Sequence, residues 1–218
     1  MKIMHITFSS EGGAAVGIKR LHNSLLKKKI KSEIFFFKDY LNYPKSIKMY
    51  YKWNLIIFFK RLVLKFLTFR KNKESLSINI IDNLNINSIL KKNKIDIVHL
   101  HWIGNEMISI KQITNIQKPV VWTFHDMWPF VGAEHFCYDK RFLNQYRPTT
   151  RSKGEHGIDL DRIVWKEKQK YFPNKNFYIT VPSKWMMKNV VKSKVNLFNL
   201  IKKIKDKNKI IFGVGAPS

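Results

Sequence analysis

The feature that most constrains the fold of this 218-residue chain is a set of five short, mostly apolar runs. Segments with helical spacing separate these runs. The runs are Ile3 to Phe8, Ile34 to Phe37, Ile95 to Leu100, Pro119 to Phe124 and Phe177 to Val181. The runs do not alternate strictly with polar residues, which is typical of strands buried on both faces of a parallel sheet. Helical spacing predicts helices at 14–28, 75–92, 109–116, 159–172 and 184–192. The sequence therefore predicts an α/β, Rossmann-like fold, with a mostly parallel sheet and helices on both faces.

The chain is strongly basic, with 41 Lys and Arg against 15 Asp and Glu and a formal net charge of +26. Lys far outnumbers Arg, and the basic residues are spread along the whole chain, so A/T-rich codon usage is the simplest source of the charge. Attraction to an anionic membrane surface or an anionic substrate is the alternative. Because base readout favours Arg, which is scarce, no nucleic-acid partner is predicted.

Cysteine content and the N-terminus favour a cytoplasmic location. Cys137 is the single cysteine, so no disulfide can form within the chain. The first residues have no secretory-signal pattern, because the apolar stretch from Ile3 to Phe8 is short and Glu11 follows it. No motif indicates a cysteine or serine nucleophile.

Residues 48–69 form an aromatic and basic segment that has two interpretations. A membrane span is excluded because Lys60, Arg61 and Lys65 interrupt it. The segment could be an interfacial helix with lysines and Trp53 at headgroup level, which would give a peripheral contact with an anionic membrane. It could equally be a helix packed on the sheet, with lysines that extend to solvent.

The pair His125-Asp126 is the strongest candidate site. It follows the apolar run that ends at Phe124, and Pro129 and Gly132 then interrupt regular structure. Ligands of open α/β sheets bind at the carboxyl ends of such strands. His125 could donate a hydrogen bond to a hydroxyl group or move a proton near neutral pH, and Asp126 could orient it. A purely structural histidine is the alternative.

A glycine pair lies between the first predicted strand and the first helix. Gly12 and Gly13 would let the backbone approach a ligand, and the helix N-terminus favours an anion. The pair matches neither a dinucleotide-binding fingerprint nor a phosphate-binding loop. A simple strand-to-helix turn therefore remains an alternative.

His99 and His101 are two residues apart and share one face of an extended segment. They could be half of a metal site, and the candidates for further ligands are His125, Asp126, Glu134, His135 and Cys137. No second ligand pair at a regular spacing supports this. Hydrogen-bonded histidines at a strand end, or the lining of a sugar or phosphate pocket, are the alternatives, and the sequence predicts no metal and no cofactor.

Several segments in the same order carry a family resemblance. They are Met1 to Ile6, Gly12 to Ala15, Arg20 to His22, Asp96 to Trp102, Lys118 to Phe130, Gly132 to His135, Gly157 to Leu160 and Val181 to Trp185. At these residues the sequence resembles bacterial retaining glycosyltransferases of family 4. These enzymes have the GT-B architecture of two facing Rossmann-like domains, and the matching segments belong to the N-terminal, acceptor-side domain.

The resemblance implies roles for particular residues. Gly12 and Gly13 would line the cleft near the donor diphosphate. His125 would contact the transferred sugar, and Asp126 would support the loop. The residues expected near the acceptor are His101, Trp102, Glu134 and His135.

The resemblance also implies a domain organisation. Residues 1–194 would form the acceptor-side domain, 195–208 a linker or helix, and 209–218 the start of an incomplete C-terminal donor-binding domain, with a strand at Lys209 to Gly213. Because the family binds the nucleotide mainly with the C-terminal domain, we expect this chain alone to be inactive or nearly so.

The predicted function is transfer of a sugar from a nucleotide-sugar donor to a cell-surface polysaccharide or glycolipid, such as lipopolysaccharide. One alternative is a non-catalytic module that binds an acceptor or a membrane surface. Another is a basic protein that binds a membrane surface or nucleic acid and has no enzymatic role.

Overall fold

A computed structural model describes residues 1–41, 47–69 and 75–193. The strands are β1 (Lys2–Thr7), β2 (Lys31–Phe36), β3 (Thr68–Phe69), β4 (Ile97–Leu100), β5 (Val120–Thr123), β6 (His156–Gly157) and β7 (Phe177–Thr180). The helices are α1 (Gly12–Lys27), α2 (Phe37–Leu41), α3 (Ile47–Phe66), α4 (Ile86–Lys92), α5 (Ile110–Thr114), α6 (Leu160–Tyr171) and α7 (Lys184–Lys192). The predicted linker and the predicted strand at 209–213 lie outside the described residues, so the domain division stays a prediction.

The main sheet is parallel, with the strand order β2-β1-β4-β5-β7. The chain moves from β1 outward to β2, and from β4 in the other direction through β5 to β7. With right-handed crossovers, α1 therefore covers one face and α5 and α6 cover the other. This confirms the predicted Rossmann-like α/β fold and is consistent with one half of a GT-B fold. The strand order reverses between β1 and β4, where open α/β sheets bind ligands.

The two faces of the sheet differ in polarity. On the face covered by α6, Trp122 is fully buried and meets Phe172 and Phe177 edge-on, with ring centroids 5.7 and 5.5 Å apart. On the opposite face, alternate positions of the central strands carry His5 and His99, which are directly paired in the register of β1 and β4. The hydrophobic core thus lies on one side of the sheet, and a histidine-rich layer lies on the other.

The helix predicted at 75–92 forms only in its second half, as α4. Before it, the carboxylate of Glu106 accepts hydrogen bonds from the backbone N–H groups of Ile78 and Asn79, and Asn79 has a positive φ of 48°. These long-range contacts hold the segment in a non-helical conformation, which periodicity alone could not reveal. The helix begins only after Asn85, whose side chain caps it.

Other helix boundaries lie close to the predicted ones. Helix α7 spans the predicted residues, and the side chain of Asp159 caps α6 by accepting from the backbone N–H of Arg162. Helix α1 begins at Gly12, so the glycine pair forms its first residues rather than a separate turn.

Helix α3 packs on the molecule through one face, as the second interpretation of residues 48–69 expects. The indole N–H of Trp53 donates to the carbonyl of Asn105 at 2.9 Å. The ammonium of Lys60 bonds the carbonyl of Leu76 at 2.7 Å and pairs with Glu106 at 3.2 Å. Placing Trp53 and Lys60 at headgroup level was therefore wrong, because both side chains hydrogen-bond to other parts of the chain. Within the described residues, no helix has both the length and the apolar character needed to cross a bilayer.

Candidate functional site

The predicted site segments meet at one edge of the sheet. Strands β1, β4 and β5 are parallel neighbours, and their carboxyl ends lead to Gly12-Gly13, His101-Trp102 and His125-Asp126. Neighbouring strands lie about 4.8 Å apart, so the ends of β1 and β5 are separated by about 10 Å. This juxtaposition is the one that the topology of an open α/β sheet predicts.

Most of the predicted site residues line one narrow depression at this edge. Its lining includes His101, Trp102, His125, Asp126 and His135. Gly12 and Gly13 lie exposed at the start of α1. Gly12 has a φ of +86°, a backbone conformation that residues other than glycine rarely adopt. Glu134 is also predicted for the site, but it is buried beneath the loop, with 4% of its surface exposed.

His125 is the half-buried end of a chain of three imidazoles. Its Nε2 lies 3.0 Å from Nδ1 of His101, and Nε2 of His101 lies 3.3 Å from Nδ1 of His5. Each neutral ring can donate one hydrogen bond and accept one, so the tautomers of the three rings are linked. The tautomer of His101 therefore determines whether Nδ1 of His125 is a donor or an acceptor toward the depression.

Burial keeps these imidazoles uncharged near neutral pH. Desolvation lowers the pKa of His125, lowers that of His5 to about 4, and lowers that of His101 still further. Neighbouring imidazoles also lower the pKa of His101, because a second positive charge beside it would be unfavourable. Nearby Asp126 acts in the opposite direction on the pKa of His125, but the effect of burial is larger.

Asp126 organises the loop rather than orienting His125 through a direct hydrogen bond. Its carboxylate accepts from the indole N–H of Trp102 at 2.6 Å, from Nδ1 of His135 at 2.6 Å and from the backbone N–H of Trp128 at 3.0 Å. The rings of Trp102 and His135 stack with centroids 5.2 Å apart. The suggestion that Asp126 orients His125 is thus not supported, whereas support of the loop agrees with its contacts.

A buried polar cluster beneath the loop fixes the shape of that loop. Lys168 of α6 is fully buried, and its ammonium donates to the backbone carbonyls of Trp128, Val131 and Gly132, the last two at 3.0 and 2.6 Å. Its Nζ also lies 4.0 Å from the ring centroid of Trp128. One side chain on a helix thereby binds three carbonyl groups of the turn that follows His125.

Glu134 belongs to this cluster. Its carboxyl group accepts a short hydrogen bond from the hydroxyl of Tyr146. Burial and the nearby carboxyl group of Asp161 raise the pKa of Glu134 well above its usual value. These contacts favour a structural role, and a contact between Glu134 and an acceptor remains a prediction.

Sequence reasoning missed His5 and Lys168. His5 is brought to His99 by strand register, which no spacing within one segment reveals. Lys168 continues the buried helical row of Leu160 and Val164. The spacing of Lys168 from these two apolar residues places it on the inward face of the helix, and this spacing could have predicted a buried lysine.

Comparison with known protein families identifies a match. The sequence model of Glycosyltransferase Family 4 matches residues 11–196, a span that runs from the residue before Gly12 to beyond α7. It includes His101, His125 and the loop held by Asp126. No curated protein matches the chain. The chain belongs to glycosyltransferase family 4.

Proposed function

We propose that this protein transfers a sugar from a nucleotide-sugar donor to a cell-surface polysaccharide or glycolipid acceptor, with His125 in contact with the transferred sugar. The observation that carries the proposal is the position of His125. It follows β5 at the carboxyl edge of the sheet, beside the strand-order reversal, in a chain of this family. Its half-buried ring lines the depression there.

A neutral imidazole suits this chemistry. In a retaining transfer the sugar develops positive, oxocarbenium-like charge as the diphosphate leaves, and a cationic histidine would oppose that charge. Because burial lowers the pKa of His125, its uncharged ring can hydrogen-bond a sugar hydroxyl without this repulsion. The bond to His101 fixes the orientation of the ring in advance.

We further propose that the start of α1 lies near the donor diphosphate. Gly12 and Gly13 are exposed, and a Cβ built at either position meets no atom within 4 Å. Glu11 makes no side-chain capping bond, so the first N–H groups of α1 are open to an anion. The described residues form a single Rossmann-like sheet domain, so we propose that a second such domain supplies most donor contacts and that this domain alone transfers little sugar. We propose no cofactor for the transfer itself.

Sugar incorporation in cells tests this proposal. Because this domain alone is proposed to transfer little sugar, the chain would be expressed together with a donor-binding domain of the same family. Membranes from these cells would be incubated with radiolabelled uridine and guanosine diphosphate sugars, and label in lipid-linked and polysaccharide products would be counted. We expect His125→Ala to reduce incorporation by about 100-fold, the typical effect of removing one preorganised hydrogen-bonding group. The matched control is His156→Ala, which changes an exposed histidine outside the depression.

Two outcomes would contradict the proposal. Equal incorporation by the wild-type chain and His125→Ala would remove His125 from the reaction. If the wild-type chain together with the donor-binding domain raised incorporation from none of the donors above that of the donor-binding domain alone, the non-catalytic binding module would be favoured instead.

A specific observation supports peripheral membrane contact as part of this function. The outer face of α3 exposes Tyr51, Leu55, Phe58, Phe59 and Phe66, whose exposed fractions lie between 55% and 67%. The exposed side chains of Arg61 and Lys65 accompany them. Exposed aromatic side chains beside basic ones are typical of helices at the surface of an anionic bilayer. We therefore propose attachment to the cytoplasmic face of a membrane through this face.

Vesicle sedimentation tests the membrane contact. We expect binding to phosphatidylcholine vesicles that contain phosphatidylglycerol, and loss of most of that binding in Phe58→Ser/Phe59→Ser. The control is Ile81→Ser, which removes an apolar side chain that is 53% exposed elsewhere. Equal binding by the double variant and the control would exclude α3 as the contact.

A further inference from the structure

Three buried histidines meet where the strand order reverses. His5 of β1 pairs directly with His99 of β4, and His101 lies two residues beyond His99 on the same face. Their exposed fractions are 0%, 9% and 5%. One ring nitrogen from each lies within 4.8 Å of the other two. From this geometry we propose that His5, His99 and His101 bind a divalent transition-metal ion of the zinc type, independently of the sugar-transfer proposal.

The distances fit such an ion. Nδ1 of His5 and Nε2 of His101 are 3.3 Å apart. Two nitrogen ligands at about 2.05 Å from a tetrahedral zinc ion are themselves about 3.3 Å apart. The ring centroids of His99 and His101 are 4.0 Å apart, and a ring nitrogen of His99 lies within 4.8 Å of one nitrogen from each of the other two rings.

Two of the ligands already have the supporting contacts that metal-binding histidines require. If His101 binds the ion through Nε2, its Nδ1 is the nitrogen that meets His125 at 3.0 Å. If His99 binds through Nδ1, its Nε2 is the nitrogen that meets the hydroxyl of Thr123 at 2.8 Å. Each ring would then donate its remaining N–H to a neighbour, which fixes the ligand tautomer.

The third ligand, His5, has no such supporting contact. With Nδ1 on the ion, its Nε2 would carry the remaining proton, and this atom is buried without a hydrogen-bond partner among the described residues. The group contains imidazole nitrogens and no carboxylate, which favours zinc, cobalt, nickel or copper over magnesium or calcium.

Three protein ligands leave one tetrahedral position for water. Sequence spacing led to the expectation of no metal because it could not show that His5 joins His99.

Metal titration of the untagged, EDTA-treated chain tests the proposal. We expect one Zn²⁺ per chain by calorimetry, and a visible absorption band of tetrahedral Co²⁺ when that ion is used as a probe. In His99→Gln we expect affinity for Zn²⁺ to fall at least about 100-fold, since a direct ligand should matter at least as much as its supporting partner. The control His156→Gln removes an exposed histidine and should leave affinity unchanged.

A second variant tests the site even if His99→Gln does not fold. Thr123→Val keeps the shape of the side chain but removes the hydroxyl that meets His99, and we expect it to weaken Zn²⁺ binding about tenfold. The proposal is overturned if the wild-type chain binds no Zn²⁺, if it binds no more tightly than His99→Gln, or if Thr123→Val leaves affinity unchanged.

Discussion

The carboxylate of Asp126 provides a sharp test of how the site loop is held. In Asp126→Asn, the single amide oxygen must replace two carboxylate oxygens that accept from Trp102, His135 and the backbone of Trp128. In either orientation of the amide, its NH₂ group replaces a carboxylate oxygen that accepts a hydrogen bond in the wild-type protein. An N–H group of the amide would then face the N–H group of the former donor. The Asp126 side chain is only 11% exposed, so water compensates little for this mismatch.

The expected cost follows from these contacts. Loss of charge assistance on two hydrogen bonds costs about 1 kcal/mol each, and one mismatched buried pair costs about 1–3 kcal/mol. We therefore expect Asp126→Asn to lower the free energy of unfolding by about 3–5 kcal/mol. Urea unfolding followed by circular dichroism would measure the change.

Asp96→Asn is the matched control for this experiment. Asp96 also accepts a backbone hydrogen bond and pairs with the N-terminus, but its side chain is 54% exposed. Its substitution should cost less than about 1 kcal/mol. If Asp126→Asn destabilises the protein no more than Asp96→Asn does, Asp126 does not hold the loop as described.

Three further predictions concern glycine, cysteine and histidine. Gly132→Ala should cost about 1–3 kcal/mol of stability, because its Cβ would lie 2.7 Å from the Cα of Asp161. Gly17→Ala, in the open interior of α1, should instead raise stability by about 0.5–1 kcal/mol. Thermal unfolding of the two variants should show changes of opposite sign. Burial raises the pKa of the Cys137 thiol, so iodoacetamide should label it in unfolded but not in native protein near neutral pH, and rapid native labelling would contradict this. Because the pKa values of His5 (about 4) and His99 (about 3) lie below the unperturbed 6.5, the unfolded chain binds more protons as the pH falls. Their joint contribution to stability is full above pH 6.5 and decreases by about 3 kcal/mol on reaching about pH 5.5. Proton NMR titration of both rings in EDTA would check this, and a midpoint near 6.5 for either ring would refute it.

The elements that sequence predicts well are those set by local pattern. The apolar runs ending at Phe124 and Val181 became β5 and β7, and the helix after Ser183 spans the residues expected. Because parallel strands align their carboxyl ends, the approach of His101 to His125 also follows from the fold class. The family resemblance could indicate the same residues but not their contacts.

The elements that sequence does not predict depend on partners far along the chain. The segment before α4 has helical spacing, yet Glu106 binds its backbone in another conformation. Asp126 lies next to His125 in sequence, but its hydrogen bonds go to Trp102 and His135. Buried polar groups choose partners by geometry in three dimensions, and periodicity carries no information about that choice.

Lys168 couples the turn after β5 to helix α6. Because one ammonium group binds three carbonyls of the turn, a shift of α6 along its axis would move the turn and change the shape of the depression. Substitutions on the solvent side of α6 would thus change the shape of the depression without altering any residue that lines it.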